Sequence, residues 1–497
     1  MQPLSKLLTG LPAQYIRCTQ DTHVQGLVVD SRSVVPGAAF LALRGQNHDG
    51  HQFLSQAFAA GAKVAIVEAD DPSLPTYPYV CVPNTADAYP FIAANFYDRP
   101  GDHLRLAAVT GTNGKTTTTY LIAAILAAAK RKFTRIGTVS NWIVDRENSA
   151  NLTTPFPLDL QAMLAQTLAR GGTDGIMEVS SHALSQGRVK PLAFTAIGFT
   201  SFSQDHLDFH KSMQEYLEAK CLLARDHLKN GGFAVAAIDV NSQAEIFLTE
   251  AHKAGGQTWR TARTSSSSAE IFVSQMLSHG PGIHAKIVTP AGEGILSSPL
   301  IGAFNLDNIL VSIGLGIGLG ISLEQCLDAL KTATGAPGRL ERVQVSGVHG
   351  PTVFVDYAHT PDAIQRVLET VRPLCSGKLV IVLGCGGDRD PKKRAPMGAI
   401  AARLADYCFI TSDNPRSEDP MQIIEQILVG IDKEQLSRVT VIVERSQAIA
   451  QAIAAANRED TLIIAGKGHE RYQMIGSQKL AFDDREHAMQ ALTARLD

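Results

Sequence analysis

The stretch Ala107-Ala108-Val109-Thr110-Gly111-Thr112-Asn113-Gly114-Lys115-Thr116-Thr117-Thr118 constrains the fold more than any other part of the chain. Residues 104–109 form an apolar run that reads as a buried parallel strand, and residues 117–129 carry a helical pattern. Strand, glycine loop, Lys-Thr and helix together make an arrangement that holds phosphate groups. Gly111 and Gly114 permit a tight turn that aims backbone N–H groups at phosphate oxygens, and the helix N-terminus adds partial positive charge. In such a cradle, to which Thr112, Asn113 and Thr117 also belong, Lys115 reaches the β- and γ-phosphates and the Thr116 hydroxyl ligates Mg²⁺. The loop is shorter than the common form, because only Gly111-Thr112-Asn113 stand between the strand and Gly114-Lys115-Thr116. The expected ligand is ATP.

The 497 residues suffice for about three domains of roughly 150 residues each. With 45% hydrophobic and 19% charged residues the chain can bury large cores. A net charge of −3 and the lack of a basic run speak against nucleic acid as a main partner. The seven cysteines are scattered without CxxC pairs, as reduced thiols are. Residues 1–6 lack the basic-then-apolar layout of a signal peptide, and the greasiest stretch, 309–321, is short and glycine-bearing, which suits a packed helix. These features lead us to expect a cytoplasmic protein with no membrane partner.

Three segments are expected, 1–100, 101–335 and 336–497. In the first, short strands alternate with helices. Asp30-Ser31-Arg32 and the loop Gln46-Asn47-His48-Asp49 follow strands, where binding groups concentrate, although each polar residue taken singly reads as a turn residue. In the second, Glu178 lies inside the apolar strand Gly175-Ile176-Met177-Glu178-Val179. A buried carboxylate needs a cationic partner, so Glu178 is a Mg²⁺ ligand candidate, with pairing to a buried Arg or Lys as the alternative. Asp205, His206, Asp208 and His210 cluster at a strand exit and could form a metal site. Lys220 lies on a helix over 213–228, and its local pattern reads as a surface position. Asn305 precedes an apolar helix and either reads an adenine edge or caps the helix. Arg339, in a turn-rich boundary, is placed to reach nucleotide phosphates.

The third segment has the clearest architecture. Apolar runs at 352–355, 379–383, 408–411, 439–443 and 461–465 alternate with helical patterns such as 363–371 and 423–429, which predicts a doubly wound, Rossmann-like α/β sheet. Ligands of such sheets bind outside the carboxyl ends of the strands. Those ends read Asp356-Tyr357-Ala358-His359, Gly384-Cys385-Gly386-Gly387-Asp388-Arg389-Asp390, Ser412-Asp413-Asn414-Pro415-Arg416 and Gly466-Lys467-Gly468-His469-Glu470. Four polar loops should converge on one edge, and Arg389 and Arg416 suit bidentate carboxylate binding.

Taken together, these residues resemble the Mur ligases, ATP-dependent amide-forming enzymes of bacterial cell-wall synthesis, over essentially the whole chain. Gly111-Thr112-Asn113-Gly114-Lys115-Thr116 is similar to the short phosphate loop of that family, and Asp413-Asn414-Pro415-Arg416 resembles the signature of its meso-diaminopimelate-adding members. The resemblance implies a UDP-binding, an ATPase and an amino-acid-binding domain, with UDP-N-acetylmuramoyl-L-alanyl-D-glutamate, ATP and meso-diaminopimelate as small-molecule partners and Mg²⁺ as cofactor. It implies that Ser31, Gln46, Asn47 and His48 hold the UDP end, and Thr153, Thr154, Ser181, Gln186 and Arg188 the muramoyl-dipeptide. Glu178 and His206 would serve Mg²⁺; Asn305, Arg339 and Asp356 the nucleotide; Arg389, Asp413, Asn414, Pro415, Arg416, Gly466 and Glu470 the diaminopimelate. Lys220 falls where the family carries an N-carboxylated lysine, so here the resemblance overrules the local reading: a carbamate turns the cation into an anion that a second Mg²⁺ can use. The implied chain is a monomer whose domain closure brings ATP and amino acid together. A lysine-adding relative or a folylpolyglutamate synthase-like ligase is the alternative. For the amine's proton acceptor, Asp356, His206, substrate and solvent remain alternatives.

Overall fold

The computed structural model of the protein describes residues 1–45, 48–68, 77–207, 209–239, 242–265, 268–277 and 282–495. Compact packing divides the chain into two units: Met1–Gln275 with Lys286–Gly294 and Asp307–Leu330, and Met276–Ala285 with Ile295–Leu306 and Lys331–Asp497.

Besides the two-stranded pairing of Gln2–Pro3 with His23–Val24, the first unit carries two larger sheets among the described residues. A small one runs in the order Gln14–Ile16, Tyr79–Val82, Val64–Glu68, Ala39–Leu41, Leu27–Val28; the four strands after the first are mutually parallel. Strand Val64–Glu68 is buried along its whole length, with one face on the cluster of Leu41, Val64, Ile66 and Ile92 and the other on Phe40, Ala65 and Val67. Burial on both faces explains why it reads as a continuous apolar run.

The central sheet includes, in order, Phe133–Ile136, Asp174–Glu178, Arg105–Thr110, Phe194–Phe199, Leu228–Ala237, Gln257–Ala262 and Ile271–Met276, all parallel. The antiparallel hairpin Ser140–Ile143 and Arg146–Ser149 extends it beyond Phe133–Ile136. The phosphate-loop strand therefore lies inside the sheet, between the strand that ends in Glu178 and the one that leads to residues 200–203. Parallel pairing places both neighbours' carboxyl ends beside the loop.

In the second unit the sheet order is Glu341–Val343, Thr352–Asp356, Thr461–Ala465, Leu379–Leu383, Tyr407–Ile410, Val439–Val441, parallel except at the first pair. Leu379, Ile381 and Leu383 pack on helices Pro361–Val371, Arg394–Leu404 and Pro420–Leu428, while Val380 and Val382 pack with Ile449 and Ile453 of Arg445–Ala455. This is the expected doubly wound fold. Helix Pro361–Val371 shows its local logic: Thr360 caps Ala363 N–H, Pro361 opens the first turn, and Ile364, Val367, Leu368 and Val371 form the buried stripe.

A fully buried ion pair ties the sheet's carboxyl edge. Arg445 donates to both Asp484 oxygens, at 2.7 Å each, and to the carbonyl of Ala465 at 2.9 Å. Removing one partner of such a pair strands a charge, so Asp484→Ala should lose about 3–5 kcal/mol. Urea unfolding, read by amide-exchange protection along Thr461–Ala465, measures that loss.

Candidate active site

The phosphate loop begins where strand Arg105–Thr110 ends and closes at helix Lys115–Ala128. Gly111 (φ 145°) and Gly114 (φ 88°) lie in backbone regions that side-chain-bearing residues avoid. A Cβ on Gly114 would also fall 2.3 Å from Asn308 Oδ1. Residues 200–203 hold the loop from one side: Thr112 N–H donates to the Ser201 carbonyl (2.7 Å), Asn113 N–H to Ser201 Oγ (2.9 Å), and Thr200 Oγ1 to the Asn113 carbonyl (2.5 Å). Lys115 Nζ donates to the carbonyls of Gly111 (2.8 Å) and Thr112 (2.9 Å), arched over the loop it belongs to. Thr117 is buried in the first turn of the helix.

Glu178, 1% exposed, ends the neighbouring strand. Its carboxylate accepts from Thr116 Oγ1 (2.9 Å), Thr138 Oγ1 (3.0 Å) and Thr138 N–H (2.8 Å). Hydroxyl and backbone groups, rather than a salt bridge, thus meet it among the described residues. A Cβ at Gly137 would lie 2.3 Å from Glu178 Oε1, so a residue without a side chain makes room for this carboxylate. One buried carboxylate beside a loop threonine fits Mg²⁺, which takes one or two carboxylates and fills its shell with water and phosphate oxygens.

Lys220 is 1% exposed, which corrects the surface reading of its helix pattern. Its helix, Met213–His227, turns it toward the phosphate loop, where Nζ donates to the Gly111 carbonyl at 3.0 Å and lies 4.3 Å from the centre of the Tyr216 ring. Burial, reinforced by Lys115, pushes its pKa well below the usual lysine value, toward a neutral amine.

Of the four residues expected to form a metal site at 205–210, the three described ones, Asp205, His206 and His210, do not converge on one point. His206 (φ 54°) stands edge-on to His182, with ring centres 4.8 Å apart, and burial lowers its pKa. His210 is buried instead against Ser181, its Nε2 3.0 Å from Ser181 Oγ. Asp208 lies outside the described residues, and among those described no three His, Cys, Asp or Glu side chains converge on one point.

Other expected contacts fall around Glu178. Thr153 Oγ1 is 3.1 Å from Thr138 Oγ1, Thr154 Oγ1 donates to the Glu178 carbonyl (2.9 Å), and Arg188 donates to the Thr154 carbonyl (3.0 Å) and to Gln186 Oε1 (2.8 Å). Ser31 opens the short 3-10 helix Ser31–Ser33 after strand Leu27–Val28 of the small sheet, donating to Gln56 Oε1 (3.2 Å). His48 is exposed, while Gln46 and Asn47 lie outside the described residues. The sequence reading missed Thr138, whose hydroxyl has no motif around it.

In the second unit the four loops do share one edge. Asp356 is buried and accepts from Leu340 N–H (2.6 Å) and Ala358 N–H (2.7 Å), and burial raises its pKa. The Arg339 guanidinium stacks 4.7 Å from the Tyr357 ring centre. Asn305 sits in the first turn of helix Ala303–Gly318 rather than at its cap, donating to the Ile301 carbonyl at 2.8 Å. Arg416 (φ 53°) donates to the Gly387 carbonyl at 2.6 Å, which joins the 412–416 loop to the 384–390 loop on which Arg389 is exposed. Pro415 and Asp413 are buried beneath it, and a Cβ on Gly466 (φ 115°) would strike Asp413 Oδ2. Asn414 Nδ2 donates to Glu470 Oε2 at 2.8 Å.

A short phosphate loop beside a buried carboxylate, together with a doubly wound sheet edged by arginine-bearing loops, defines an α/β nucleotide-using enzyme. Comparison with known proteins narrows the class. Residues 23–97 match the catalytic domain of the Mur ligase family, 109–316 the Mur ligase middle domain and 338–468 the glutamate ligase domain of Mur ligases. The chain belongs to the Mur ligase family. It is 44% identical over 480 residues, 94% of each chain, to the UDP-N-acetylmuramoyl-L-alanyl-D-glutamate–2,6-diaminopimelate ligase of Prochlorococcus marinus. It is likewise 44% identical to the enzyme of that name from Synechococcus elongatus, over 99% of each chain. A solved structure of a ligase of the same name is 31% identical and superposes with a TM-score of 0.73, covering 100% of this chain and 99% of that one.

Proposed function

We propose that this Mur ligase joins meso-diaminopimelate to the D-glutamate of UDP-N-acetylmuramoyl-L-alanyl-D-glutamate at the expense of ATP, in the cytoplasmic assembly of peptidoglycan precursors. The observation that carries the choice of amino acid is the Asp413-Asn414-Pro415-Arg416 loop, pinned at the sheet's carboxyl edge against the loop of Arg389. The likeness to diaminopimelate ligases along the whole chain supports the same reading. We assign residues 1–100 to UDP-sugar binding, 101–335 to ATP and 336–497 to the amino acid, in a monomer.

An oxygen of the D-glutamate γ-carboxylate attacks the γ-phosphorus, the bond to ADP breaks, and an acyl phosphate results. Lys115 and the loop N–H groups stabilise charge on the transferring phosphoryl oxygens. Thr116 and Glu178, with His206 and carboxylated Lys220 nearby, would hold Mg²⁺, which supplies further positive charge there. The diaminopimelate nitrogen then attacks the acyl carbon, sheds a proton, and phosphate departs. Phosphate release should therefore require the UDP-dipeptide, ATP and the amino acid together. Release with ATP alone, or with either partner missing, would favour a nucleotide switch or a small-acid kinase and reject the ligase reading.

Diaminopimelate differs from lysine by a distal carboxylate, and a planar guanidinium meets such a group with two parallel hydrogen bonds. Arg416 spends one donor on Gly387 and presents the rest of its fork at the loop edge. Losing one partner of a desolvated charge pair costs about 2–5 kcal/mol, so Arg416→Ala should lower kcat/KM for meso-diaminopimelate by about 30-fold to several thousand-fold. L-lysine should gain relative to diaminopimelate in the variant. Steady-state kinetics with both amino acids decide this; an unchanged preference ratio would leave Arg416 as a loop clamp.

A further inference from the structure

Lys467 belongs to none of the assignments above, yet it is among the most deeply buried charges of the second unit. It follows strand Thr461–Ala465 and is 0% exposed. Gly466 (φ 115°) and Gly468 (φ 53°) flank it with positive φ, and its fully buried side chain runs inward rather than to solvent. Nζ donates to Asn414 Oδ1 at 3.1 Å and to Glu470 Oε2 at 3.2 Å, and it lies 5.5 Å from the centre of the Tyr472 ring.

These contacts determine the chemistry of two neighbours. An ammonium only donates, so the Asn414 atom facing it must be the carbonyl oxygen. The backbone N–H of Met474 donates to that same oxygen at 2.9 Å, which fixes the amide a second time. Asn414 Nδ2 is thereby turned to Glu470 Oε2. One oxygen of Glu470 is thus occupied by both Lys467 and Asn414, and its charge is balanced from beneath. Among the described residues, both side-chain hydrogen bonds given to Glu470 fall on Oε2 and none on Oε1.

We propose that Lys467 is a positioning residue for amino-acid recognition: from below the site it sets the orientation of the Asn414 amide and directs Glu470 to receive the ammonium of a zwitterionic diamino acid. The inference rests on the amino-acid-binding role proposed for these loops and adds to it the group that organises them. Without Lys467, the half-buried Glu470 carboxylate loses its cation, beside a site that must also accept the carboxylates of the incoming amino acid. Amino-acid binding suffers first, whereas ATP and the UDP-dipeptide, assigned to other residues, are spared.

The test is steady-state kinetics of Lys467→Met, a substitution of similar length without charge. The expected result is a KM for meso-diaminopimelate raised about 30-fold or more, with the KM values for ATP and UDP-dipeptide within about 3-fold of wild type. Lys467→Gln, which keeps an N–H donor, should recover part of the loss. A purely structural lysine would lower the melting temperature and leave this KM where it was; that outcome in a folded variant overturns the proposal. Should Lys467→Met not fold, Lys467→Met/Glu470→Gln removes the buried charges as a pair and is compared with Glu470→Gln alone. Equal KM values for the amino acid support action through Glu470, and a further multiplied rise contradicts it. If the wild type proves to use a different amino acid, the reading of the substrate fails, while the same comparison made with the accepted amino acid still decides the role of Lys467.

Discussion

Lys115→Ala should abolish acyl-phosphate formation, lowering kcat by about a thousand-fold or more, and leave the affinity for the UDP-dipeptide near that of wild type. The loop's shape does not depend on this side chain. It is set by the backbone angles of Gly111 and Gly114 and by the bonds that residues 200–203 make to Thr112 and Asn113. What the variant loses is a cation that now rests on the Gly111 and Thr112 carbonyls and would exchange them for phosphate oxygens. Ser31 follows a strand of the small sheet, in the short 3-10 helix Ser31–Ser33, far along the chain from this cation. Calorimetric titration of the UDP-dipeptide into the variant measures the spared half of the expectation. A large loss of that affinity would mean that one region serves both ligands and that the division into substrate-binding segments is wrong.

Lys220→Ala should lose about 10- to 100-fold or more of activity, with partial recovery when short carboxylic acids or bicarbonate are added. The physical case is the burial of Nζ against the Gly111 carbonyl and the Tyr216 ring. Burial and Lys115 favour the neutral amine there, and only a neutral amine attacks CO₂. Carboxylation would bond Nζ to the carbon and release one proton, giving an anion that keeps one N–H for the Gly111 carbonyl. The neutral amine would thereby be replaced, next to the phosphate loop, by an anion able to serve a divalent metal. Rates measured across a series of added carboxylates check this. Loss that no small anion relieves would leave the metal role without support, and full activity in Lys220→Ala would end it.

The fold of the second unit was legible because its central strands, Leu379–Leu383 and Thr461–Ala465, are buried on both faces and the helices between the strands carry clear stripes. Runs such as 379–383 and 461–465 therefore stood out, and their polar ends marked the edge where Asp356, Arg416 and Glu470 meet. The phosphate loop was legible for a different reason, since its glycines answer a backbone requirement visible in one short string. Lys220 was not legible, because a long amphipathic side chain at a helix position reads alike whether it faces solvent or a loop from another strand. His210 misled in the same manner: proximity to His206 in sequence suggested a shared ligand, but its ring is buried against Ser181. Lys467 stood within a string already recognised as a loop end. Only its burial and its bonds to Asn414 and Glu470, facts of three dimensions, reveal that it points inward.

The central claim concerns the bond that is made and the amino acid that enters it. Its most direct test is mass spectrometry of the product formed by the wild-type protein from UDP-N-acetylmuramoyl-L-alanyl-D-glutamate, ATP and an equimolar panel of diamino acids. The account predicts a single new species, the UDP-dipeptide plus meso-diaminopimelate less one water, with one ADP and one phosphate released per molecule formed. A product carrying L-lysine, or ADP released with no amide product, would contradict it.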